Sequence, residues 1–329
     1  MSLLTVSGSP HVHEKGNVSK IMLFVIIAML PAFIASAWMF GIGAVKVFAV
    51  SIIACILFEW LVQKFLIKGP NTVSDYSAIV TGMLLAFNVP SNLPVWILII
   101  GAFVSIVIGK MSFGGLGKNP FNPALVGRVF MLISFPVPMT SWPKPLESAS
   151  QLTDVITGPT PLGILKESSN VAEAMSNPAM PDYLQMFWGN MGGSAGEISA
   201  IALLAGGLFL LLTRVISWHI PVSFLLGATM FAGALWLADP TIYIDPLFHL
   251  IAGGMMLAAF FMATDMVSSP MTPWGMLIFG FMGGVLTIII RVFGAYPEGA
   301  SFAILIMNAF VPLLNKIKRK RFAEELKNG

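Results

Sequence analysis

The sequence predicts an all-α polytopic membrane protein of about ten transmembrane helices, built as two five-helix inverted repeats with broken helices. Three observations carry this expectation. Of 329 residues, 57% are hydrophobic and only 10% are charged, against about 25% charged in soluble domains. Ten apolar segments recur along the chain, each near the roughly 20 residues that cross a bilayer or somewhat shorter. The lysines and arginines gather on alternate connections, as the positive-inside rule requires.

The first apolar run, 21–40, is too long for the core of a signal peptide and has no small-residue cleavage site, so it reads as the first span. The others lie at about 44–62, 76–89, 94–109, 122–135, 198–213, 221–237, 247–263, 275–290 and 301–315. The third and fifth are short for full spans, and Gly and Pro interrupt the chain beside them, in FNVPSNLP and GKNPFNPALVG. Asn122-Pro123 puts an amide at the N-cap and a proline at the first helical position of the fifth. Ser194 to Glu197 reads as an S-x-x-E capping box opening the sixth, which gives Glu197 a structural role.

With the N-terminus inside, the cytoplasmic segments collect Lys15, Lys20, Lys64, Lys68, Lys110, Lys118, Arg214 and the tail KIKRKR, Lys316 to Arg321. The opposite side holds little beyond Lys46, Lys144, Lys166 and Arg291. The chain then divides into a cytoplasmic segment 1–20, a five-span half 21–135, an extracytoplasmic loop 136–197, a second five-span half 198–315 and a basic cytoplasmic tail 316–329. Five is odd, so two such halves run in opposite senses across the membrane. Each contains a polar, proline-punctuated stretch, GKMSFGGLGKNPFNPALVGR and ATDMVSSPMTPWG. Irregular backbone at depth is tolerated only where it is protein-buried or lines a cavity, so a pocket between the halves is expected. The basic tail is an orientation signal, and no nucleic-acid partner is expected.

The chemistry open to the residues is narrow. The one cysteine, Cys55, sits in an apolar run and reads as core packing, which excludes a four-cysteine iron–sulfur cluster in this chain. His11, His13, His219 and His249 offer no pair that could sandwich a haem, and no metal site is expected. Glu59, Asp75, Arg128, Asp239, Asp245 and Asp265 are candidates for an ion path by position. Each taken singly reads as structural, with Arg128 the deepest and Asp265 or Glu59 able to pair with it. No catalytic residue is expected.

That leaves TDVITGPTPL, Thr153 to Leu162, a polar stretch that reads as an exposed turn. Asp154-Val-Ile-Thr157-Gly158-Pro159-Thr160 resembles the flavinylation motif D-x-x-[ST]-G-A-T, with Pro159 where alanine is usual. GKNPFNPALVGRVF, DVITGPTPLGILK, GNMGGSAGEISAIALLAGG and TDMVSSPMTPWG also resemble segments of the RnfD/NqrB family, and the resemblance runs from the first span to the last. It implies that Thr160 carries FMN through a phosphoester, with Asp154, Thr157 and Gly158 read by a flavin transferase on the extracytoplasmic face. It further implies a second, noncovalent flavin (riboflavin), for which the NPFNPALVGR and TDMVSSPMTP stretches are the expected pocket.

The function so implied is a membrane flavoprotein subunit of an Rnf ferredoxin:NAD+ oxidoreductase complex in the bacterial cytoplasmic membrane, coupling electron transfer to Na+ or H+ translocation. Its partners would be the other Rnf subunits: a second FMN-bearing subunit, iron–sulfur membrane subunits, and the NAD- and ferredoxin-facing subunits. The alternatives are an NqrB-like subunit of a sodium-pumping NADH:quinone reductase and a non-redox channel resembling urea transporters. Trp142, Phe187 and Trp188 would either pack on the flavin or join the interfacial aromatic belt.

Overall fold

The computed structural model describes residues 18–68, 72–146 and 156–317. Asp154, His11, His13, Lys15 and residues 318–321 of the basic tail lie outside the described residues. Among the described residues the fold is helical, and its one strand-like feature is an isolated antiparallel bridge between Pro143 and Thr157.

The first half contains α1 (Val18–Phe40), α2 (Ile42–Leu61), α3 (Ser77–Phe87), α4 (Val95–Phe103) and α5 (Pro123–Ser134). A connection follows with four short helices: α6 (Pro136–Met139), α7 (Pro161–Glu167), α8 (Val171–Ser176) and α9 (Tyr183–Trp188). The second half contains α10 (Ala200–Leu212), α11 (His219–Ala238), α12 (Pro246–Ile251), α13 (Met255–Leu257), α14 (Pro273–Phe293) and α15 (Ala300–Leu314). Five helices are long and apolar enough to cross a membrane: α1, α2 with its extension to Ile67, α4 with its extension to Phe113, α11 and α14. The protein is a helical multi-pass membrane protein.

Several helices change pitch, and one breaks at a glycine. Wider π-helical turns extend α2 over Val62–Ile67, α4 over Val104–Ile108 and α13 over Ala258–Met262. Such turns leave backbone groups free to bond elsewhere and recur at functional sites. Between α12 and α13 the chain turns at Gly253, whose φ of 63° suits glycine.

Helix starts obey one rule repeatedly. An oxygen-bearing side chain caps the first turn and proline follows it: Asn122-Pro123, Thr160-Pro161, Asp245-Pro246 and Thr272-Pro273. The expected cap at Asn122 is present, its side chain accepting from Ala124 and Leu125 N–H at 3.1 and 3.4 Å. The expected capping box at Ser194 is not. The helix begins later, at Ala200, and Ser199 caps it through Ala202 N–H. Backbone bonds from Ala195 and Gly196 N–H to the carbonyls of Val89 and Phe87 hold the intervening chain against the end of α3 instead. A Cβ at Gly196 would enter the Phe87 ring, so close approach dictates glycine there.

The two halves pack in one pattern. The second helix of each, α2 or α11, packs against both the third and fourth helical segments, and the fourth packs on the fifth. Across the halves, α1 meets α10 and α5 meets α15. The α11–α14 pair is closest because small residues face backbone: a Cβ at Gly227 would strike the Phe281 carbonyl, and one at Gly284 the Phe224 carbonyl. One large apolar core runs through both halves, and a smaller one joins Phe40 and Ala44 to Leu162, Met186, Met191 and Phe248 beneath the connection.

Candidate functional site

The motif segment is tied down from one side by backbone. Lys144 N–H donates to Ile156 O and Gly158 N–H to Trp142 O, both at 2.9 Å. Trp142 is buried, so it supports this pairing from below, while Trp188 is exposed and Phe187 packs on the core. Thr157 lies in the exposed part of the segment and Gly158 is half-buried beside the Lys144 stem.

Thr160 departs from expectation. The sequence suggests an exposed hydroxyl, but the residue is only 6% exposed. Thr160 caps α7, its Oγ1 accepting from Gly163 N–H at 3.0 Å, and Met191, Gly192, Glu197 and Glu298 from distant segments gather around it. A long-range clasp adds to it. Lys166, at the other end of α7, donates through Nζ to the Arg291 and Tyr296 carbonyls at 3.3 Å and to the Gly294 carbonyl. Partial burial pulls this ammonium below the usual lysine range. Beneath Thr160 lies a small cavity of about 10 Å³ shared with Glu197, Glu298, Gly192 and Gly253.

The ionisable candidates hold structural contacts, but Arg128 takes a partner the sequence reading did not single out. Arg128 pairs neither with Asp265 nor with Glu59. Its guanidinium bonds Glu298, the Ser301 hydroxyl at 2.5 Å and the Asn88 carbonyl at 3.3 Å, tying α5 to the start of α15. Glu298 was not among the candidate residues, because it precedes the last helix and looks exposed in the sequence. Glu59 pairs with Lys110 at 2.6 Å, both buried, so Lys110 is not a surface orientation charge. Asp75, Asp239, Asp245 and Asp265 each accept bonds from residues two or three positions on, as structural caps and turns do. At Asp239, bonds from Thr241 hold the carboxyl below its usual range.

A second cavity, of about 80 Å³, opens where the two halves meet on the side of the α1 start. The polar stretches of the two halves line it: Asn119 and Asn122 from one, Thr264 and Asp265 from the other, with Thr81 and Lys110 beside them. Asn119 is 3% exposed and its Oδ1 has no hydrogen-bond partner. Among the described residues no group of three or more His, Cys, Asp or Glu side chains could hold a metal ion.

A multi-pass helical protein with a capped threonine on a packed connection and a cavity between two similarly packed halves defines the class. The chain belongs to the NQR2, RnfD, RnfE family, whose model matches residues 5–323. It is 45% identical to the D component of the Na(+)-translocating ferredoxin:NAD(+) oxidoreductase complex of Acetobacterium woodii, over 97% of this chain and 94% of that one. Identity to the D component of the proton-translocating ferredoxin:NAD(+) oxidoreductase complex of Clostridium ljungdahlii is 44%, over 96% and 94%. Identity to the D component of the ion-translocating oxidoreductase complex of Salmonella paratyphi A is 38%, over 96% and 97%.

Proposed function

We propose that this chain is the membrane flavoprotein subunit of an Rnf-type ferredoxin:NAD+ oxidoreductase complex, with FMN esterified to Thr160 and riboflavin in the cavity between the halves. The observation that carries the reading is the Asp154–Thr160 motif within a chain similar over nearly its whole length to oxidoreductase complex subunits. Relatives named for sodium and for proton translocation match almost equally well, so the coupled ion is Na+ or H+. The proposed partners are the other subunits of the complex and a flavin transferase. Orientation follows the lysine and arginine count, with both termini cytoplasmic, the connection carrying Thr160 outside and the cavity between the halves opening toward the cytoplasm.

The chemistry of the residues suits both groups, and the cavity between the halves has to open further to take a whole flavin. Thr160 Oγ1 accepts a bond, but no described group accepts its proton, so exchanging O–H for O–P breaks no described hydrogen bond. Its burial means that α7 has to swing aside for the transferase, or that the segment is modified before it docks. In the second cavity, Asn119 Oδ1 is an acceptor still to be satisfied by a ligand donor. When bound, the flavins supply stepwise electron transfer between one-electron carriers. The protein fixes their position and the charge around them.

Peptide mass spectrometry on chain co-expressed with a flavin transferase tests this reading. FMN mass on the Thr160 peptide, absent from Thr160→Ala, is expected, and an unmodified wild-type peptide refutes it. For the second flavin, Asn119→Ala should purify with less noncovalent flavin while its covalent flavin is unchanged.

A further inference from the structure

On the connection side of the molecule a cavity of about 370 Å³ lies between α7, residues 242–244 and the end of α14. Leu162, Leu165, Ile244, Val292 and Phe293 give it apolar walls, and Lys166 stands on its lining. Its floor is unusual. His249 and Arg291 are 4% and 5% exposed and line the cavity. Arg291 spends two nitrogens on the His249 and Ala252 carbonyls, at 2.7 and 3.0 Å. Its Nε, and Nδ1 of His249, have no hydrogen-bond partner. Buried polar atoms without partners cost stability unless a ligand satisfies them.

The ligand that suits this lining is flat, apolar on its faces and rich in heteroatoms along one edge. Leu162 lines both this cavity and the small one beneath Thr160. It is two residues from Thr160, so no more than about 7 Å separates the two Cα atoms. We propose that this cavity receives the isoalloxazine ring of the flavin tethered at Thr160, with Arg291 Nε and His249 Nδ1 meeting the heteroatom edge of the ring. The proposal rests on the attachment proposed above and adds where the ring sits. Arg291 and Lys166 beside the ring favour any negative charge it gains on reduction.

The test uses the full chain co-expressed with a flavin transferase: wild type, Ser169→Phe, His249→Phe and Thr160→Ala. Mass spectrometry of the Thr160 peptide first reports attachment, and its absence in wild type refutes the proposed function itself. Iodide quenching of the covalent flavin's fluorescence, with the Thr160→Ala signal subtracted, then reports exposure of the ring. Docking predicts severalfold weaker quenching in the intact chain than in the flavin peptide released by proteolysis. Ser169→Phe adds bulk on the exposed rim of the cavity, outside the core, and should raise quenching toward the peptide value with attachment intact. His249→Phe keeps a flat aromatic side chain, loses both ring nitrogens and should shift the flavin absorption band. Attached flavin that iodide quenches as freely in the wild-type chain as in the peptide overturns the docking site, and so does quenching that Ser169→Phe leaves unchanged.

Discussion

Two buried cations at comparable places in the two halves have been satisfied in different ways. Lys110 follows the extended fourth helix of the first half, and Arg291 sits in the last turn of its counterpart α14. Around Lys110 side chains satisfy one another. Its Nζ donates to Glu59 and to Ser77 Oγ at 2.6 Å, and the other Glu59 oxygen accepts from Gln63 and Thr72. Around Arg291 the bonds go to backbone freed by the break between α12 and α13, and Arg291 Nε, His249 Nδ1 and Glu197 Oε2 stay unpartnered. A closed network holds helices together. An open one leaves polar atoms for a further partner, the role proposed above for the tethered flavin.

The comparison can be broken most severely at the closed network. Glu59→Ala leaves Lys110 buried and alone, which should cost about 3–5 kcal/mol and appear as a large loss of thermal stability in detergent. Replacing both partners, Glu59→Met with Lys110→Met, should recover most of that loss, since an apolar pair of similar volume is often neutral. If the double variant is as unstable as the single one, Lys110 has a role beyond its pairing.

Arg128→Ala comes next. It removes a buried charge that links the two halves and strands Glu298, with an expected cost of about 3 kcal/mol or more and impaired assembly of the complex. Flavin attachment at Thr160 should survive, which in-gel flavin fluorescence of the same preparation reads. Normal assembly in that variant would show that the α5–α15 contact holds without its ion pair.

At the open end the expected effects are smaller. Lys166→Met removes the clasp on the Arg291, Gly294 and Tyr296 carbonyls. It should cost about 1–3 kcal/mol locally, expose Thr160 and speed modification of chain that is already folded, followed by timed mass spectrometry. Tyr183 donates to Asp245, the cap of α12, and burial, with that bond second, pushes its phenol above the usual range. Tyr183→Phe should cost about 1 kcal/mol, a shift small enough to confirm that this contact trims the fold and does not build it.

Much of the architecture is legible in the residues. Apolar runs set the helices, and the short third and fifth segments correspond to α3 and α5. Asn122-Pro123 marks a helix start because its chemistry is local, a side-chain oxygen meeting free N–H groups two and three residues on. Ser194 to Glu197 shows the limit of that logic. The same local pattern is overridden because the backbone there bonds α3, more than a hundred residues away in the chain.

The sequence by itself determined what depends on neighbours along the chain: apolar length, caps, breaks, the asymmetry of basic residues and the motif ending at Thr160. Only the tertiary structure decided what depends on distant segments meeting. It buried Thr160 under its own cap and the Lys166 clasp, gave Arg128 the partner Glu298, and joined Glu59 to Lys110. It also brought Asn119 and Asp265 to one cavity and left His249 and Arg291 with unpartnered ring and guanidinium nitrogens beside another. The physical reason is that the strength of a buried polar contact depends on which groups reach it and how much water is excluded, and neither is written in local sequence.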